Sequence, residues 1–266
     1  MKPKDLLMLL ALAALWGASF LFMRVGARDL GPCALAFLRV SIAGLVLLGY
    51  EWIRGQQPGI LRKWRPYLVL GVLNAAIPFS LISTAELYIP ASLAAILNAT
   101  TPLFTALVAW MWVKDPLTPK KIAGILLGVA GVAILVGWEP SGSGDRLLVS
   151  ASLSLVAAIS YAVAGVYSSK AFKGEKPMHV SIGQQMGATI ALIPAAGLTF
   201  PQSTMSNASI LAALGLAIFC TALAYPLYFA LIRNVGPVKT LSVTYLTPVF
   251  GMFWVLYGWG RTSRSA

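Results

Sequence analysis

Two stretches place hydroxyl and amide side chains immediately before a proline inside an apolar run. Asn98, Thr100 and Thr101 precede Pro102, and Thr244, Tyr245 and Thr247 precede Pro248. Proline has no N–H, and its ring displaces the carbonyl one turn earlier. Away from water that freed carbonyl needs a partner, which a threonine hydroxyl or a cavity water supplies. Each stretch therefore reads either as a kink capped by threonine or as a helix break lining a cavity with hydroxyls and carbonyls. Its occurrence twice favours the cavity. Pro78 and Pro226 predict further bends, with Asn74 one turn before the first. Trp16, Tyr161, Tyr225 and Tyr228 lie inside apolar runs, where they either pack on neighbouring helices or contact an apolar or aromatic ligand and attract its ammonium group. Ser19, one turn beyond Trp16, joins these cavity candidates.

Two charges fall within or at the ends of the runs. Glu86 ends one; it takes a proton or holds a ligand's ammonium group, or it sits in water at the interface, as the nearby Pro90 allows. Arg39 lies about two turns into another. It binds a carboxylate or pairs with Glu86, or its head snorkels to the headgroups, which its position favours.

Other chemistry is excluded. The chain has one histidine, His179, in a predicted turn, and no predicted span carries two carboxylates. Acid–base or metal chemistry needs such clusters. Cys33 and Cys220 show no metal or disulfide spacing, and no GxxxxGK[ST] phosphate loop occurs. An enzyme, a metal or cofactor protein and an ATP-driven pump are not expected.

The elements that must position these residues are membrane helices. Of 266 residues 58% are apolar and only 11% charged, and mean hydropathy is +0.80; soluble domains carry about 25% charge. The apolar residues cluster in runs near the 20 or so residues needed to cross the hydrocarbon. Nine spans follow: Leu6–Val25, Cys33–Ile53, Pro66–Glu86, Ala91–Val113, Pro119–Gly137, Leu147–Ser168, Met178–Thr199, Ala208–Ile232 and Thr240–Trp259. The first resembles a signal peptide but lacks a small-residue cleavage site before Arg28–Asp29, so it is read as retained. Trp52, Trp64, Trp110, Trp112, Trp138 and Trp259 fall at span ends as interface anchors.

The net charge of +12 is a topology signal, not a nucleic-acid face. With the N-terminus in the cytoplasm, fourteen of the twenty Lys and Arg fall inside: Lys2, Lys4, Arg54, Arg62, Lys63, Arg65, Lys114, Lys120, Lys121, Lys170, Lys173, Lys176, Arg233 and Lys239. Only Arg24, Arg28 and Arg146 fall in outside loops, as the positive-inside rule requires. A multi-pass protein of the plasma (inner) membrane is expected, with the lipid bilayer as its surroundings.

The halves echo each other at 144–147 residues. Ala13–Ala18 matches Ala157–Ala162, Pro32 and Arg39 match Pro177 and Gln184, Leu70-Gly71 matches Leu214-Gly215, and Pro90 with Thr101-Pro102 matches Pro237 with Thr247-Pro248. A five-helix unit copied once must enter the membrane upside down the second time, an inverted repeat of the kind that supports alternating access. Gly124, Gly128 and Gly131 form an extended GxxxG in the fifth span, marking internal packing or a homodimer contact.

The whole set resembles the EamA-type branch of the drug/metabolite transporter superfamily. The resemblance rests on Trp16-Gly17-Ala18-Ser19-Phe20, Phe37-Leu38-Arg39, the segment Ala91–Leu97 leading to Thr101–Leu107, Asp115-Pro116-Leu117-Thr118, Gly124–Val132, Thr221–Tyr225 and Val243–Gly251. It implies an all-α polytopic membrane protein with ten helices in two five-helix inverted repeats (1–137 and 138–266) around a central substrate cavity. It also implies outward transport of small organic metabolites, with characterised members exporting neutral and aromatic amino acids. The sequence does not name the coupling ion; a proton taken up by Glu86 is one candidate, alongside the interface reading of that residue. The family pattern continues with a tenth helix, whereas Tyr257–Ala266 is too short and polar to span. The tenth helix is therefore expected to be missing. The alternative reading is a non-transporting fragment or a scaffold completed by a partner.

Overall fold

A computed structural model describes residues 1–57, 59–119, 122–124, 126–128, 130–131, 144–201 and 204–254, and all described secondary structure is helical. Among the described residues six helices are long and apolar enough to cross a membrane: Pro3–Leu30, Pro32–Ile53, Ile60–Ala85, Ala91–Val113, Asp145–Ala171 and Asn207–Val235. They carry the first four, sixth and eighth spans. The seventh is a helix over Pro177–Thr199, more polar because of His179, Ser181, Gln184 and Gln185. The ninth is split into Pro237–Leu241, a 3-10 turn at Ser242–Tyr245 and Thr247–Trp254. Most of the fifth span, Trp138, Trp259 and the tail from 255 lie outside the described residues, as does the expectation about a tenth helix. Gly128 in the fifth span backs onto the Leu103 side chain of the fourth, a packing contact.

Local sequence sets several boundaries. The first and second helices meet at Gly31, whose N–H bonds the Ala27 carbonyl at 3.1 Å. Its φ of 75° with ψ of 156° is open to glycine and strained for other residues. Pro32 then opens the second helix, where a missing N–H costs nothing.

The irregularities come in pairs. The third span widens into a π-helix at Val72–Ala76 and the eighth at Ile218–Leu223. The fourth span breaks at Ala99–Thr100, and the ninth breaks before Thr247. Val72 and Ile218, like Pro102 and Pro248, are 146 positions apart.

Packing is paired as well. The first span packs on the eighth and ninth, and the sixth packs on the third and fourth. The second packs on the eighth, the third packs on the seventh, and the second and seventh pack on each other. Each of these contacts joins one half to the other.

Helix ends segregate as alternating crossings demand. At one end Asn234 Nδ2 donates to Asp5 at 2.9 Å, Lys63 pairs with Glu175 at 2.6 Å, Lys176 donates to Gln56 at 2.9 Å, and His179 lies 3.4 Å from Glu51. At the other end Ser209 donates to Asp29 at 2.8 Å, Arg24 donates to the Ile89 carbonyl at 3.0 Å, and Arg146 lies over the Tyr88 ring. Between them the outer surface is apolar, with Leu45, Ile190, Ile193, Leu198 and Leu211 all exposed, as suits a protein sheathed in lipid.

Candidate functional site

The paired irregularities surround a small central cavity. Its wall takes Trp16, Ser19, Phe20 and Met23 from the first span, Arg39 from the second, and Asn74, Phe79 and Ile82 from the third. Asn98 comes from the fourth, Tyr161 from the sixth, Tyr225 and Tyr228 from the eighth, and Leu241, Thr244 and Thr247 from the ninth. Its accessible volume is about 30 Å³, room for water and for no organic solute.

The broken helices reach it through their prolines. The carbonyl one turn before Pro102 is that of Asn98, and Thr101 Oγ1 donates to it at 2.6 Å. The carbonyl one turn before Pro248 is that of Thr244, and Thr247 Oγ1 donates to it at 2.9 Å. Both predicted threonine caps are thus made, at matched positions. The breaks also turn Asn98, Thr244 and Thr247 onto the cavity.

The third span uses the same chemistry with partners from elsewhere. Pro78 frees the Asn74 carbonyl, which accepts from Tyr225 Oη at 3.1 Å. The adjacent Leu73 carbonyl accepts from Ser160 Oγ of the sixth span at 2.6 Å. Asn74 Nδ2 donates to Gln184 Oε1 at 2.6 Å. A π-helix replaces the regular ladder with i→i+5 bonds, and here helices of the other half donate to its Leu73 and Asn74 carbonyls.

An aromatic wall stands on one side. The Trp16 ring is 5.9 Å from Tyr225 and 5.4 Å from Tyr228, and those tyrosines are 5.7 Å apart. Phe79 meets Tyr161 and Tyr225 edge-on, each at 6.5 Å. Ser19 Oγ donates to the Trp16 carbonyl at 2.8 Å.

Nine of the twelve cavity candidates thus line one space. Thr101 lies behind it, fully buried and used as a cap. Tyr245 is half exposed and turned away: a 3-10 turn has three residues per turn, so Thr244 and Thr247 share a face that Tyr245 does not. Glu86 lies outside the wall, and its interface reading is corrected. It is 2% exposed, and neither carboxylate oxygen has a hydrogen-bond partner among the described residues. Arg24 and Arg39 are the cations whose fields reach it.

Arg39 is also corrected. It does not snorkel; it is 3% exposed and forms part of the wall. Nε donates to Thr221 Oγ1 at 2.8 Å, and the guanidinium lies on the Phe79 ring, 3.7 Å from its centre. Phe20, Met23, Phe79, Ile82 and Leu241 are wall residues that carried no signal in the sequence beyond their apolarity.

A larger recess of about 890 Å³ lies at the predicted cytoplasmic end, bordered by Lys170, Lys173, Arg233 and Lys239 with Asp115 and Glu175. It is open and does not share the convergent polar groups of the central cavity.

Comparison with known proteins agrees with this architecture. The sequence profile described as "EamA-like transporter family" matches residues 4–137 and 148–263. An uncharacterized transporter of Archaeoglobus fulgidus is 29% identical, over 97% of this chain and 90% of its own length. The uncharacterized inner membrane transporter YedA of Escherichia coli is 30% identical, over 95% of this chain and 81% of its own. A probable amino-acid metabolite efflux pump of Salmonella typhimurium is 26% identical, over 95% of this chain and 86% of its own. A solved crystal structure superposes with a TM-score of 0.73 at 22% identity, covering 96% of this chain and 88% of that one, a likeness of fold.

Proposed function

The chain belongs to the EamA-like transporter family and is a membrane-embedded transporter, and on that premise we propose that it moves neutral or aromatic amino acids, or closely related metabolites, outward by alternating access. Residues 1–137 and 138–266 are the two repeats that rock against each other, and the central cavity is the site they expose in turn. One observation carries the reading: the π-helices at 72 and 218 and the proline breaks at 102 and 248 recur at one spacing around one cavity. Transporters commonly bind at the repeat interface, between discontinuous helices. A relative named as a probable amino-acid metabolite efflux pump supports the substrate class and direction.

A cavity volume of about 30 Å³ fits a closed arrangement of the two halves. Substrate enters only when the halves part. Purified protein in liposomes is expected to exchange labelled neutral amino acids by counterflow, well above empty vesicles. Absence of exchange with every neutral amino acid and common metabolite tried would overturn the proposal.

The proposal includes a cytoplasmic N-terminus, supported by the basic residues gathered at the end that holds Lys63 and Lys176. Cysteine introduced at Gln56, with Cys33 and Cys220 replaced, is expected to react with an impermeant thiol reagent only in inverted vesicles. Cysteine at Ser206 is expected to react only in intact cells, and the reverse pattern would refute the orientation.

A further inference from the structure

Among the described residues Arg39 is the permanently charged side chain in the cavity wall. A guanidinium keeps its charge in any protein environment. Only Nε is well bonded, to Thr221 Oγ1 at 2.8 Å. Nη1 reaches the Met23 sulfur at 3.5 Å, and Nη2 reaches the Cys220 carbonyl at 3.4 Å. The first acceptor is a weak one, and the second contact is long. The described ion pairs, Lys63–Glu175 and His179–Glu51, do not involve it. Glu86 leaves both oxygens unpartnered and does not turn to Arg39.

A buried charge is costly unless paired, and the planar fork of a guanidinium matches the two oxygens of a carboxylate. The rest of the wall suits what a carboxylate would carry. Trp16, Tyr225 and Tyr228 offer ring faces and edges, and the buried Tyr228 hydroxyl has no hydrogen-bond partner among the described residues.

We propose that Arg39 is the carboxylate anchor of the central cavity. Nη1 and Nη2 leave Met23 and Cys220 to take the substrate's two oxygens, while its apolar or aromatic body lies against Trp16, Tyr225 and Tyr228. The substrate is therefore a small organic acid or amino acid, and the corresponding amine or amide is rejected. This assignment rests on the transport reading and names the substrate class within it.

A thermal-shift series on detergent-purified full-length protein tests it, since binding to the folded state raises Tm. The probes are phenylalanine, 3-phenylpropionate, phenylalaninamide and phenethylamine. The two carboxylates are expected to raise Tm, and the amide and amine to leave it unchanged. Equal shifts from the amide and the acid, or no shift from either acid, would overturn the anchor.

Arg39→Met is expected to lose the acid-induced shift while the protein stays folded, since its ligand-free contacts are confined to Thr221, Met23, Cys220 and Phe79. Acid binding retained in Arg39→Met overturns the proposal. Arg39→Lys keeps the charge without the fork and is expected to weaken acid binding by about tenfold or more; unchanged binding there overturns it even if the methionine variant fails to fold. Counterflow separates the two readings. Flux of amines and amides equal to that of acids removes the anchor and leaves transport standing, whereas no flux of any solute removes both.

Discussion

Gly187→Leu is expected to leave little monodisperse protein after detergent extraction, whereas Gly197→Leu, ten positions along the same helix, behaves as wild type. The seventh span crosses the third with backbone almost touching backbone. A Cβ on Gly187 would overlap the carbonyl of Tyr67 and the Cα of Leu68. A Cβ on Gly71, across the contact, would overlap the main chain of Gly187 and Ala188. Around Gly197 there is open space. Extra methylenes in a packed core cost about 1–3 kcal/mol where side chains give way. Here the obstacle is main chain, so the helices must separate. Separation removes the close packing that holds helices together in lipid, where burial adds no hydrophobic drive. It also pulls Gln184 from Asn74, whose bond at 2.6 Å steadies the cavity wall. Size-exclusion profiles of the two variants decide the matter; a wild-type profile for Gly187→Leu would show that the crossing is looser than described.

Replacing Pro102 and Pro248 together by alanine is expected to cut counterflow by about tenfold or more while the protein stays folded. A tenfold loss is about 1.4 kcal/mol of barrier, well below the roughly 3 kcal/mol by which proline disfavours a helix interior. Alanine restores an N–H that reaches the Asn98 and Thr244 carbonyls. The Thr101 and Thr247 hydroxyls then lose the acceptors they hold at 2.6 and 2.9 Å, and the fourth and ninth spans straighten through the cavity. Each single variant is expected to fall between wild type and the pair. Undiminished flux in the double variant, with a wild-type Tm, would remove these breaks from the transport cycle.

These breaks were legible in the sequence because their chemistry is local. Proline forfeits a bond one turn back, and the threonine that repairs it lies in the adjoining turn. The long apolar helices were legible for a similar reason, since length and apolarity are properties of one segment. The fate of Arg39 was not. Its partners Thr221 and Cys220 lie on the eighth span, and nothing near residue 39 points to them. The nearest interface, which did show in the sequence, suggested snorkelling instead. Glu86 followed the same course: Pro90 pointed to a loop in water, but the packed helices leave the carboxyl buried. The π-helices at Val72–Ala76 and Ile218–Leu223 have no residue type that marks them; only Pro78 and Pro226 just beyond hint at a disturbed ladder. The Gly71–Gly187 crossing joins two glycines that are ordinary in their own helices. In the cavity itself the polar members and Trp16, Tyr161, Tyr225 and Tyr228 were foreseeable from their oddity in an apolar run, whereas Phe20, Phe79 and the aliphatic members were not.

The burial of Arg39 also bears on how the chain is made. An arginine raises the cost of membrane insertion by up to roughly 2.5–3.5 kcal/mol at a helix centre and by less two turns in, which the surrounding Leu, Ile, Val and Phe must offset at a few tenths each. The partner that takes its Nε lies 182 residues later. At synthesis rates of about 5–20 residues per second, the ribosome needs roughly ten to forty seconds to reach it. Throughout that interval the second helix must hold a charge in or near the bilayer with no native acceptor from the eighth. The residue that finishes the cavity is thus also the one that makes the half-built protein least at ease in the membrane, and the interval ends only when the second half of the chain arrives.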